Sequence, residues 1–272
     1  MPEAVDIRLP DSFGQAIRQQ LRLTLSAPYE TPITVAVNGA LMSSAWFFLP
    51  TDLRDKIFTL HGTLAFALIL AAWMYSDVPS TNVFANDGPR IVAALDDPVM
   101  FRRLLYAKNV TLWLLITPIC ALAAIINGLI HHSYLSALFT IVAIGVLPFG
   151  FLAISAWVGI LFPYHAMPLR YRWEHRRPAR RKLFRWGVLI VTPYGLLPVL
   201  STLMLAPSLL LWGFTVPHGL SEKVPDHDLG LGIGVACVLA LICTVGGHRI
   251  GGWMARKRRP KLVDFLSDPT RG

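Results

Sequence analysis

The sequence predicts an all-α integral membrane protein with six transmembrane helices, and three observations carry that expectation. Of 272 residues, 54% are hydrophobic and only 15% are charged, whereas soluble domains carry about 25% charged residues. The apolar residues fall in runs of about 18 or more, long enough to cross ~30 Å of hydrocarbon. The formal charge of +9 is not spread over a face as a nucleic-acid partner would require; the basic residues flank the apolar runs. No nucleic acid is expected as a partner, and membrane lipids are.

In chain order, residues 1–10 read as a loose leader without a basic region and apolar core, so no cleaved signal peptide is expected. Residues 11–27 predict an amphipathic helix: Phe13, Ile17, Leu21 and Leu25 recur at a spacing of four, with Gln15, Arg18, Gln19 and Arg22 opposite. Too polar to span, it suits the membrane interface. Spans are predicted at about 33–50, 57–76, 110–130, 135–162, 186–214 and 229–253. Asn38, Gly39, Ser43 and Ser44 make the first the weakest and leave a re-entrant segment open. The fifth holds Pro193, Pro198 and Pro207, each of which removes a helical hydrogen bond, so tilt or kinks are expected there.

Charge sets the orientation. Segments 1–32, 77–108, 163–185 and 254–272 hold 3, 4, 8 and 6 Lys and Arg, and the opposite set, 51–56, 131–134 and 215–228, holds 2, 0 and 1. Basic loops stay inside, so both termini, the basic tail 254–272 and the segment 84–109 are expected in the cytoplasm, with the chain in the plasma membrane. Residues Arg170–Arg185 form the densest basic cluster, read as topogenic charge in contact with anionic lipid.

The spans carry no acidic residue in their central portions. Buried carboxylates serve proton relays, ion sites and catalysis, so their absence speaks against a proton-driven carrier, an intramembrane protease and metal-dependent lipid chemistry. His61 and His248 stand near span ends and read as structural. His218, Asp226, His227 and Asp228 could bind a metal such as Zn²⁺, but a solvated loop explains them, and no metal site is assigned. Cys120, Cys237 and Cys243 lie inside apolar runs and form neither a metal knot nor a disulfide framework. Gly247 and Gly251 have the spacing that lets helices approach closely, either within the chain or at a dimer seam.

Segment 84–109 is the longest polar-punctuated stretch between apolar runs. Asp87-Gly88-Pro89 and Asp97-Pro98 each put a capping residue before a proline, the arrangement of a helix start. Ile91, Val92 and Leu95, then Met100, Phe101, Leu104 and Leu105, pattern a bent helical hairpin between spans two and three. Asp96 and Asp97 project about 100° apart on a helix, so they do not converge for acid–base work.

This layout resembles the permease subunits of ABC-2-type exporters. The residues that carry the resemblance are Leu95, Pro98, Val99, Arg103, Leu104, Leu105, Ala107 and Lys108, leading into span three; Met100-Phe101 departs from the small pair common there. The resemblance implies a coupling helix over Asn86–Arg103 and a connecting helix over Phe13–Leu25. Asp87, Arg90, Ile91, Leu95, Asp97, Pro98, Phe101, Arg102 and Arg103 would then dock on a separate ABC ATPase subunit. It further implies that ATP and Mg²⁺ sit on that subunit and that this chain binds no cofactor and is not an enzyme. A second permease copy or related permease would complete the pathway, moving an amphipathic, lipid-like or drug-like substrate outward. No G-x-x-x-x-G-K-[ST] phosphate loop occurs in the chain itself. Two other classes remain open: a membrane enzyme acting on a lipid or isoprenoid substrate, and a non-transporting scaffold of a membrane complex.

Overall fold

A computed structural model describes residues 9–26, 29–53, 65–82, 84, 87–165 and 226–268, with single residues and short stretches between 184 and 203. Nearly all of the basic loop Arg170–Arg185, His61, His218 and most of the expected fifth span lie outside them. Among the described residues the regular elements are helices: α1 (Phe13–Thr24), α2 (Glu30–Phe48), α3 (Ala65–Tyr75), α4 (Val78–Thr81), α5 (Gly88–Ala94), α6 (Pro98–Ile130), α7 (Tyr134–Leu161), α8 (Asp226–Lys257) and α9 (Arg259–Leu266).

Three helices are long and apolar enough to cross a membrane: α6, α7 and the Gly230–Lys257 part of α8. This is a helical membrane protein. α2 has 19 residues but is not among the three, since Asn38, Gly39, Ser43 and Ser44 dilute its apolar content. α3 supplies 11 apolar residues of the expected second span, whose first half is not described.

Helix starts follow local chemistry. Ser12 Oγ accepts a hydrogen bond from the Gln15 amide at 3.2 Å, and Gln15 Oε1 accepts one from the Asp11 amide at 2.9 Å, a reciprocal arrangement close to a capping box. Asp97 Oδ1 accepts from the Val99 and Met100 amides at 2.8 and 3.2 Å, with Pro98 in the first turn, where its missing N–H leaves no bond unmade. Asp77 caps α4 through the Val78 amide at 2.6 Å and takes a second bond of 2.6 Å from the Asn38 side chain. Burial nevertheless pushes its carboxyl above the ordinary value.

α6 and α7 form an antiparallel hairpin through His131 and His132, the latter at φ 52°. There a Cβ on Gly128 would collide with that of Ala137. α8 then packs parallel to α7: Gly230 lies against Phe139, Gly247 against Ala153, and Gly251 against Trp157 and Ile160. Trp157 Nε1 donates to the Gly247 carbonyl at 2.8 Å. The small-residue spacing therefore serves packing within the chain, where contact atoms take the place of an absent hydrophobic drive. Val35, Met42, Leu70, Met74, Ile116 and Phe151 fill a core shared by α2, α3, α6 and α7. Large apolar side chains such as Leu122, Ile126, Leu138 and Ile242 stay exposed on the outer faces, as lipid contact requires.

Two boundaries differ from the sequence expectation. α6 is one continuous helix from Pro98 to Ile130 rather than a short helix followed by a span from residue 110, because its apolar stripe crosses that boundary with no breaker before Pro118. The basic stretch after residue 254 is the end of α8 plus α9, whose Leu262, Phe265 and Leu266 are buried.

Candidate functional site at the basic end of the bundle

The start of α6, the ends of α7 and α8, and the short helices α5 and α9 meet at one end. A second core forms there from Phe84, Ile91, Leu95, Phe101, Ile160, Leu262 and Phe265. α9 is tied down by polar contacts on both sides. Arg259 grips Asp96 with two parallel contacts, Nε–Oδ1 2.7 Å and Nη2–Oδ2 2.9 Å, the fork geometry guanidinium offers a carboxylate. The hydrogen bond from Arg259 holds the Asp96 carboxyl below its ordinary value. His165 Nε2 donates to the Phe265 carbonyl at 2.9 Å, and Gly88 sits against the Leu266 carbonyl. Arg258 Nη1 donates to the Leu161 carbonyl at 2.8 Å, satisfying the open C-terminus of α7.

The residues expected to dock a partner are brought together, but not on one outward face. Ile91, Leu95 and Phe101 are each at most 2% exposed; they are anchors of the chain's own core and are closed to a partner. Asp87 stands at the N-cap of α5 without capping it. Its carboxylate turns inward, 3.5 Å from Lys108 Nζ and 3.7 Å from Arg90 Nε. The two cap-proline signals thus differ: Asp97 caps, whereas Asp87 neutralises a buried lysine. Pro98 accepts from Arg102 Nε at 3.1 Å, and Arg103 Nη1 donates to the carbonyls of Pro10 and Asp11 at 2.9 Å each, fastening the chain ahead of α1 to α6. Of this segment, Pro89, Ala93, Asp96, Asp97 and Val99 face outward.

Two further polar groups at this end are buried more deeply than the sequence reading placed them. Lys108 falls on the stripe Phe101, Leu104, Leu105, Leu112 at helical spacing, so its burial was written in the pattern. His248 is 1% exposed rather than near a solvated boundary. It stacks on Tyr106 with centroids 3.7 Å apart. Its Nδ1 donates to the Thr244 carbonyl at 2.7 Å, so Nε2 accepts from Asn109 Nδ2 at 3.0 Å. Both ring nitrogens are committed, which leaves the ring no proton to exchange with a substrate. Among the described residues no group of three or more His, Cys, Asp or Glu side chains could hold a metal; the side chains of Asp226, His227 and Asp228 lie outside them.

No protein-family model matches this chain, no curated protein is detectably similar to it, and no solved structure matches its fold.

Proposed function

We propose that this chain is the membrane-spanning permease subunit of an ATP-driven ABC exporter. It carries an amphipathic, lipid-like or drug-like substrate outward while a separate ATPase subunit binds ATP and Mg²⁺. The observation that supports this reading best is the continuity of α6. A single 33-residue helix joins the α5–α6 bend at the basic end to the middle of the bundle, and its internal proline, Pro118, lies well beyond the bend, so a push on the bend enters the spans before it meets a joint that could absorb it. Interfaces that are packed in this way switch between discrete arrangements rather than deform. The basic end is the cytoplasmic side in this reading, and a second permease faces the first across the pathway.

A partner must read the outward rim, because the apolar anchors face inward. Ala93 is exposed on α5 and its replacement leaves the core intact. Ala93→Arg and Ala93→Glu, in an affinity-tagged full chain produced in its own cells, are expected to lower recovery of a cassette ATPase by about thirtyfold, the effect of one hot-spot contact. Membrane insertion and elution volume stay unchanged. Recovery equal to the unmodified chain from both variants, or no cassette ATPase with any of them, overturns the reading.

A further inference from the structure

The basic end also holds a cavity of about 360 Å³ between the first turn of α1, the start of α6 and the last third of α8. Phe13, Arg102, Arg103, Tyr106 and Arg249 are among its lining residues, and no carboxylate is. Arg102 on α6 and Arg249 on α8 line the cavity together with Tyr106, so cations from two helices meet at one site. Arg103 meanwhile holds the preceding turn in place through Pro10 and Asp11, which makes that wall a built one.

One face of α8 leads into the cavity. Val238, Ile242 and Val245 are 56%, 61% and 46% exposed, and Arg249 follows. Steps of four, three and four residues keep all of them on one side of the helix. The face therefore reads apolar over its membrane-embedded length and cationic where it meets the cavity.

We propose that this cavity binds the phosphate of an anionic lipid headgroup, with an acyl chain laid along the Val238–Ile242–Val245 strip. Guanidinium groups match phosphate oxygens in a two-point geometry that ammonium cannot offer. A lining with three cations and no carboxylate favours a headgroup of net negative charge over a zwitterionic one, whose ammonium would find no counter-charge. The inference needs only the membrane placement of α6 and α8 and is independent of any ATPase partner.

The test uses the full chain purified in detergent and incubated separately with phosphatidylglycerol, with phosphatidylcholine and with inorganic phosphate, bound species being read by native mass spectrometry. Phosphatidylglycerol is expected to be retained in preference to phosphatidylcholine. Arg249→Gln and Arg102→Gln should each reduce that retention by roughly tenfold, the worth of one hydrogen bond to a charged group. Arg256→Gln, exposed on the same helix but outside the cavity, should retain lipid as the unmodified chain does. Equal retention by Arg249→Gln overturns the proposal. So does an equal loss in Arg256→Gln, which would mean diffuse surface charge. Inorganic phosphate held in an Arg249-dependent way, without preference for phosphatidylglycerol, overturns the lipid as the ligand.

Discussion

Asp87 and Lys108 illustrate how much one buried charge can organise. Lys108 is 7% exposed and Asp87 3%, so neither charge has water to fall back on, and removing one partner of such a pair costs about 3–5 kcal/mol. The two deletions are not equivalent. Lys108→Met leaves Asp87 with Arg90, 3.7 Å away, whereas Asp87→Asn takes the carboxylate away from the buried Lys108. Asp87→Asn is therefore expected to lower the thermal midpoint of the purified protein more than Lys108→Met does. The reverse order would show that the lysine, not the aspartate, is the hub. The helical spacing of Lys108 from Leu104, Leu105 and Leu112 is written in the sequence, but which acid answers it is not. Asp87 looked like a helix cap, and both roles fit the same short polar side chain followed by Gly-Pro.

At the scale of the element, the α7–α8 seam depends on residues with almost no side chain. A Cβ on Gly247 would stand 2.8 Å from the Cβ of Ala153 and 3.1 Å from its backbone carbon, so helices would have to part to admit it. On Gly246, one position earlier, a Cβ meets nothing within 4 Å. Gly247→Ala is accordingly expected to destabilise by about 1–3 kcal/mol, as overpacking does. Gly246→Ala should be neutral or stabilising by up to about 1 kcal/mol, since it removes backbone freedom from a helix interior. Thermal melts of the two variants decide it, and equal midpoints would remove the seam from the account. The spacing of Gly247 and Gly251 was legible as a close approach. Its partner was not, because glycine pairs carry no label for the helix they face. Helix ends were legible where a cap and a proline coincide, as at Asp97-Pro98. The extent of α6 was not, because a polar stretch such as Arg102-Arg103 reads as a break when its neighbours' burial is unknown. α9 went unread for the same reason: five basic residues around it masked the apolar face of Leu262, Phe265 and Leu266.

For the whole molecule, the question left by composition is whether α2 crosses. Its 19 residues span about 28 Å at 1.5 Å per residue, close to the ~30 Å of hydrocarbon, so it falls short in apolarity and not in length. Its place in the bundle argues for crossing. Asn38, in its first half, bonds to Asp77 just after α3, and Gly39 lies against Met74 near the end of α3. α2 therefore leaves the end to which α3 returns, with its polar Asn38 answered by a carboxylate rather than left in lipid. Asp52 follows α2, and a crossing α2 puts it on the face opposite the basic end. Asp52→Cys is then expected to react with a membrane-impermeant maleimide in intact cells. Pro178→Cys, in the most basic loop of the sequence, should react only after permeabilisation, as the charge asymmetry of 21 Lys and Arg against 3 requires. The unmodified chain, whose Cys120, Cys237 and Cys243 lie within the spanning helices, supplies the background. Protection of Asp52→Cys until permeabilisation would make α2 re-entrant and reduce the expected crossings by two, with α1 and Asp52 both on the side where Arg103 holds the chain ahead of α1.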